Sequence, residues 1–318
     1  MKKNCLLTTI FTLYFLANSV LLSAQMDPQF TSNMFTRQLV NPASVGESEM
    51  SNAFANRRSQ WKDVGPVTFA GYFDTPIQGV KRKHGAAFSI VDDKAGLFET
   101  TTINLAYAHK QELWKGRLSV GVQGSLVNAV FQGDQVVEVT TDYHSNLDYP
   151  SITAETSGVK FDISLGMHYS DKKQYFGISL THLARPTLDI IDAGVYVYYN
   201  RTLNLYGGYN YTMRSLPDLE LRPMAYIKTD GKLTQIDLNC NVWYKDNLFA
   251  GLSYRFQDAI ALMGGLKLKN GILIGGAYDL TTSRMAYGGF GSAEVFLNYE
   301  FSLSLNTKTN KYKSVRIL

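Results

Sequence analysis

Beyond residue 50 the chain alternates apolar and polar side chains for about ten residues, turns, and does so again. Val159, Phe161, Ile163, Leu165 and Met167 face away from Lys160, Asp162, Ser164 and His168. Ile236, Leu238, Cys240 and Val242 oppose Gln235, Asp237, Asn239 and Asn241, and Val295, Leu297, Tyr299 and Phe301 oppose Glu294, Asn298 and Glu300. A period of two means strands with one greasy face. No apolar run after Gln25 approaches the roughly twenty residues that a membrane-crossing helix needs. With only 18% charged and as much as 13% aromatic residues, the chain is also outside the composition of disordered proteins. A net charge of +4, dispersed along the chain, gives no reason to expect a nucleic-acid partner.

The pattern predicts about fourteen strands, near 51–61, 66–76, 84–92, 102–111, 117–130, 158–170, 173–183, 200–213, 219–229, 234–244, 247–256, 259–269, 272–280 and 293–304. Connections alternate between short ones, such as Asp171-Lys172, Lys245-Asp246 and Asn270-Gly271, and long ones near 93–101, 131–157, 184–199 and 281–292. Short turns at one end and long loops at the other describe an outer-membrane barrel, with strands of about 9–11 residues crossing the lipid at a tilt. Such a sheet must close, because hydrocarbon offers no partner to an edge N–H. A soluble sandwich alternates too, but needs neither one-sided loops nor two aromatic bands. Those bands are expected at Trp61, Tyr254, Phe256 and Tyr278 on one side and at Tyr107, Trp114, Tyr169, Tyr209, Tyr211, Trp243 and Tyr299 on the other. The expected fold class is therefore all-β, a transmembrane antiparallel barrel with a short irregular N-terminal segment.

By the same alternation Arg57, Asp74, Lys160, Asp162, Arg222, Asp237, Asp279 and Glu300 point into the lumen. Their mixed signs suggest paired charges crossing it rather than a wide pore of one sign. Glycine pairs such as Gly264-Gly265, Gly275-Gly276 and Gly288-Gly289 read as kinks and turns.

The chain begins with Met1-Lys2-Lys3, an apolar stretch from Leu6 to Leu22 and Ser23-Ala24-Gln25, the pattern of a secretory signal over residues 1–24. Cys5 leaves with it, and the single remaining Cys240 cannot close an internal disulfide. Residues 25–50 then form an irregular unit in which Asp27-Pro28 and Asn41-Pro42 set turns. A plug inside the barrel and a lead-in tied to its rim both fit that unit. The barrel follows over 51–305, with a basic tail over 306–318; both termini are expected in the periplasm, since an even strand count returns the chain to its starting side.

Several motifs carry more than periodicity. The stretch from Gln25 through Thr31, with Met34-Phe35 and Leu39-Val40-Asn41-Pro42-Ala43, is followed in order by Tyr175 to Pro186, Arg222 to Lys228, Gly251 to Arg255 and Tyr278 to Ser283. Together they resemble the PorP/SprF family of outer-membrane proteins over essentially the whole mature chain. The resemblance implies a barrel of the type IX secretion and gliding machinery, in outer-membrane lipid, supporting secretion or cell-surface attachment of a partner protein. In the motif His182-Leu-Ala-Arg185-Pro186, His182 and Arg185 fall where a strand meets an outer loop and are candidate contacts for a partner or a lipid phosphate.

Motifs of chemistry are missing: there is no nucleophile elbow, phosphate loop or His-Glu-x-x-His, and five histidines stand without metal-like spacing. No cofactor, metal or catalytic residue is expected. Two functions remain: an interaction protein holding a secreted surface protein or secretion component through its long loops, and a plugged outer-membrane channel for a small hydrophobic solute.

Overall fold

The structure, a computed structural model, describes residues 27–61, 65–78, 83–132, 156–190, 195–283 and 291–303. The signal segment with Cys5, nearly all of loop 131–157, Gly288-Gly289 and the basic tail lie outside the described residues.

The first seven strands are β1 Ser51–Ser59, β2 Val67–Gln78, β3 Lys83–Ala95, β4 Phe98–Leu113, β5 Gly116–Phe131, β6 Thr156–Ser170 and β7 Gln174–Thr181. A small hairpin follows, β8 Thr187–Ile190 with β9 Val195–Tyr198. The chain continues through β10 Thr202–Tyr209, the short β11 Tyr211–Met213, β12 Leu216–Thr229, β13 Thr234–Tyr244, β14 Leu248–Arg255, β15 Ala259–Lys267, β16 Ile272–Thr281 and β17 Ser292–Phe301. Fourteen of them form a closed antiparallel barrel in chain order, as the alternation predicts; β11 is one extra strand that continues the line of β10 along β12. Closure comes from β1 pairing with β17, Ser51 opposite Phe301 and Ser59 opposite Ala293. No open edge is left facing lipid where the first and last strands meet.

Outward positions carry the apolar set, with Leu105, Val120, Phe161, Leu165, Ile178, Leu252, Leu262, Ile274 and Val295 all exposed. Cys240 is among the exposed residues of that face. Tyr254, Phe256 and Tyr278 at one end and Trp114, Tyr211 and Tyr299 at the other are exposed as the belts require. Trp243 is not part of a belt: it is 4% exposed and points into the lumen, in phase with Asp237, Asn239 and Asn241 on β13.

Two connections differ from their expected form. Residues 93–101 are not a long loop; β3 and β4 keep pairing up to a two-residue turn at Gly96-Leu97, with Lys94 bonded to Glu99 at 2.8 Å. Past the lipid a hairpin needs no apolar face, so polar strand residues read as loop. Residues 184–199 contain the β8–β9 hairpin, whose Leu188 and Val197 bury against Val127, Ala129 and Phe131 of β5. The lumen is likewise not uniformly polar. Phe54, Tyr72, Trp243, Phe249, Met263, Leu273 and Phe296 form an apolar core inside it, near the short-turn end. Gly265 and Gly275 pair across β15 and β16 and leave the space in which the rings of Phe249 and Phe296 lie, so these glycines are ring seats rather than kinks.

Candidate functional site

What fills that core is the chain itself. Residues 27–50 have almost no regular structure, a single helical turn at Arg37–Val40 and a 3-10 turn at Pro42–Ser44, and irregular backbone is tolerated at membrane depth only where protein buries it. The segment runs through the lumen from the long-loop end, where Asp27 lies, to the short-turn end, where Ser51 opens β1.

At the long-loop end β7 stops at Thr181, and His182 takes a left-handed conformation, φ 57°, that carries its ring into the lumen. Its Nε2 lies 2.7 Å from Asp27 Oδ1 and its Nδ1 2.7 Å from Asp162 Oδ2. Lys228 Nζ donates to the Asp27 carbonyl at 2.7 Å. Burial opposes charge on the imidazole, but Asp27 and Asp162 on either side hold its pKa at about 10. Burial likewise opposes charge on the Asp27 carboxyl, and His182 and Lys228 outweigh it, bringing the pKa to about 2. The result is a charged clasp over the first described residue.

Deeper, five charges from five strands converge. Arg58 on β1 bridges Asp279 at 2.7 Å and Glu294 at 3.0 Å; Arg255 on β14 bridges Asp279 at 3.0 Å and Asp237 at 3.2 Å. All are buried. Into this group the segment inserts Thr31, whose Oγ1 donates to Asp279 at 2.7 Å and whose N–H donates to Glu294 at 2.7 Å; the Ser32 hydroxyl donates to Glu294 as well. Buried carboxylates thus have their lone pairs satisfied by both guanidinium and hydroxyl donors, the condition under which buried charge is tolerated.

Further down, Phe35 enters the aromatic core, 5.0 Å from Phe296, 5.6 Å from Phe249 and 6.4 Å from Trp243, while the Tyr72 hydroxyl donates to its carbonyl at 2.9 Å. The Asn41 amide donates to the Met167 carbonyl at 3.0 Å and to Tyr206 at 3.1 Å, and its Oδ1 caps the 3-10 turn by accepting from Ala43 N–H. Pro42 is buried beside it. Gly85, Gly121 and Gly166, on three strands, let the segment touch the wall: a Cβ at any of them would collide with Val45, Ala43 or Asn41. Near the short-turn end Glu47 pairs with Arg37 and His168, each at 3.2 Å, and Asp74 accepts from Gly46 N–H at 2.6 Å.

Of the residues singled out from sequence, the structure brings Asp27, Pro28, Asn41, Pro42, Asp74, Asp162, Asp237, Asp279 and His182 to the segment or its wall. Arg57 is a correction: it faces outward and is exposed, and its neighbour Arg58 is the lumen residue. The phase of β1 is obscured because its outward positions before Arg57 are only Ala53 and Ala55, while Phe54 points inward to the aromatic core. Lys160 keeps the inward phase but is exposed, away from the charge cluster. Arg222 sits near the short-turn end, bonded to Glu220 at 2.9 Å and stacked 4.4 Å over Trp243; Glu300 pairs with Lys267 at 2.8 Å. Arg185 is exposed in the turn after His182. Arg255, Glu294, Thr31 and Glu47 were missed, although Arg255 and Glu294 lie in the legible phase of their strands.

Beside the segment, against β3 to β6, a cavity of about 510 Å3 remains. It extends from Trp61, Leu233 and Tyr199 down to Leu39 and Val40.

A family model described as type IX secretion system membrane protein PorP/SprF matches residues 22–299. No curated protein matches the chain. Among solved structures, the toluene transporter TbuX of Ralstonia pickettii is similar at 9% identity and a TM-score of 0.50, over 83% of this chain and 92% of that one. The CymD monoaromatic hydrocarbon channel gives 10% identity and 0.49 over 84% and 92%, and Omp33 of Acinetobacter baumannii 7% and 0.48 over 81% and 100%. At 9% identity the likeness to TbuX is one of fold alone.

Proposed function

Because the chain belongs to the PorP/SprF family of type IX secretion system membrane proteins, we propose that it is an outer-membrane barrel that supports secretion or cell-surface attachment of a partner protein by binding at its long-loop end. The observation that carries this reading is the lumen segment. A wall that devotes Arg58, Arg255, Asp237, Asp279 and Glu294 to holding Thr31 and Ser32 in place is built to keep the segment where it is, not to pass cargo through it. Function then falls to the loops and to the mouth they surround, where His182 is already fixed and Arg185 is exposed beside it. The role is one of binding and not of catalysis. In this reading the long loops face outward, the short turns face the periplasm, and residues 1–24 are removed on export.

The position of Asp27 bears on the topology. Residues 27–50 cross the barrel, so the segment's first described residue lies at the opposite end from the start of β1, and a periplasmic amino terminus does not follow from the even strand count.

Deleting the gene tests the reading. Surface display of at least one type IX-exported protein is expected to fall, and to return with the full-length chain. Unchanged display of every exported protein would refute it. The channel alternative rests on the coexistence of a plug and a fourteen-stranded wall; uptake of a hydrocarbon by reconstituted protein would favour it.

A further inference from the structure

The cavity beside the segment has a lining that none of this assigns. Its deep wall is a lattice of neutral polar groups: the Gln123 amide donates to Asn104 Oδ1 at 3.1 Å and to Ser125 at 3.2 Å, and Ser164 and Thr181 continue the row. Its upper rim carries rings, Trp61, Phe98 and Tyr199, and the Asp93 carboxylate, which accepts from the Thr68 hydroxyl. Trp61 is held there in a left-handed conformation, φ 43°, by its own N–H bonded to Ser292 Oγ at 3.1 Å, a strained placement of the kind that clusters at binding sites. The inward residues of β4 that line the cavity run from Phe98 to Asn104, about 20 Å at 3.3 Å per residue. The volume of about 510 Å3 is that of a small-ligand site drawn out into a slot.

The chemistry narrows the occupant. An anion would meet Asp27 and Asp93, and the two cations of the lining are taken, His182 by Asp27 and Asp162, Lys228 by the Asp27 carbonyl. A hydrocarbon would leave unused the donor and acceptor positions that these amides and hydroxyls keep beyond their bonds to one another. The Gln29 amide nitrogen is already buried and without a partner at the slot's edge. A carboxylate able to accept from neighbouring hydroxyls, amides that both donate and accept, and flat rings on which the C–H face of a pyranose can lie together match one class of molecule. We propose that the slot between the lumen segment and β3–β6 binds a linear neutral oligosaccharide, entering from the long-loop end.

Calorimetric titration of the full chain in detergent, with laminarihexaose, cellohexaose, maltohexaose and mannohexaose as probes, tests this. At least one hexaose is expected to bind, about tenfold or more tighter than its monosaccharide and than hexagalacturonate. Trp61→Ala should weaken that binding about tenfold, and Thr102→Trp, which places a ring across the slot, should abolish it. Ser164→Phe, on another strand, provides a second block should Thr102→Trp fail to give the heat-modifiable band of a folded barrel. The proposal is overturned if no neutral hexaose binds, if binding survives both blocks, or if a neutral Gly-Ser hexapeptide binds with the same sensitivity to them, which would make the slot a peptide site. None of these outcomes depends on the display phenotype, so the proposal and the partner-binding reading fail separately.

Discussion

At the long-loop end the segment is held by Asp27, His182 and Asp162, whose outer members keep 23% and 12% side-chain exposure; deeper in the lumen Arg58, Asp279 and Glu294 keep 2% or less. Both groups pair opposite charges at about the same distances. The difference lies in what surrounds them. Breaking a fully buried pair leaves an uncompensated charge with no water to take it, whereas a clasp near the mouth can be opened by a proton or a solvent molecule. The deep cluster therefore acts as an anchor and the upper one as a latch on the same strap.

The largest effect expected from separating the two is at the anchor. Arg58→Met should destabilise the barrel by about 3–5 kcal/mol in urea unfolding, since Asp279 and Glu294 lose their shared cation. Its outward neighbour is the control: Arg57→Ala should stay within about 0.5 kcal/mol. If the two variants behave alike, the phase assigned to β1 is wrong.

Next comes the contact between segment and wall. Gly166→Val should cost about 3 kcal/mol, because the new side chain occupies the place of Asn41. It should also make residues 27–50 cleavable by an added protease while the strands stay protected. Unchanged protection would mean that the segment does not rest on β6.

The latch should respond to pH while the anchor holds. Because the His182 pKa is raised from 6.5 to about 10, its contribution is complete below 6.5 and is lost as pH climbs toward 10. The depressed Asp27, moved from 3.8 to about 2, contributes fully above 3.8 and is lost as pH falls toward 2. Protection of the Asp27 end should thus be greatest between those ordinary values and decline on both sides. His182→Gln should remove the alkaline limb and about 2 kcal/mol of protection, read by hydrogen exchange at Gln29 to Thr31. The smallest effect belongs to exposed pairs at the short-turn end: Lys245→Ala, which loses a 3.7 Å contact with Asp218, should change stability by less than about 1 kcal/mol.

How much of this was legible follows from which physics writes a pattern into sequence. The fourteen strands were, because lipid on one side and a lumen on the other enforce period two. That rule weakens where lipid ends, so the tip of the β3–β4 hairpin and the β8–β9 hairpin read as loops. The contents of the lumen were harder to see. Alternation marks Arg255 and Glu294 as inward, yet nothing local ties them to Thr31, more than two hundred residues away. Trp243 was misplaced because a ring near a strand end suits a headgroup belt, although its phase with Asn241 already turned it inward. The glycines that admit the segment carry no local signal, since their role lies in a contact with a distant part of the chain.

Current through single barrels in a planar bilayer tests most directly whether the segment closes the lumen. The intact chain should pass almost none, and a variant lacking residues 27–47, shown folded by its heat-modifiable band, should open a steady pore. Equal conductance from the two, whether both are silent or both are open, would contradict it.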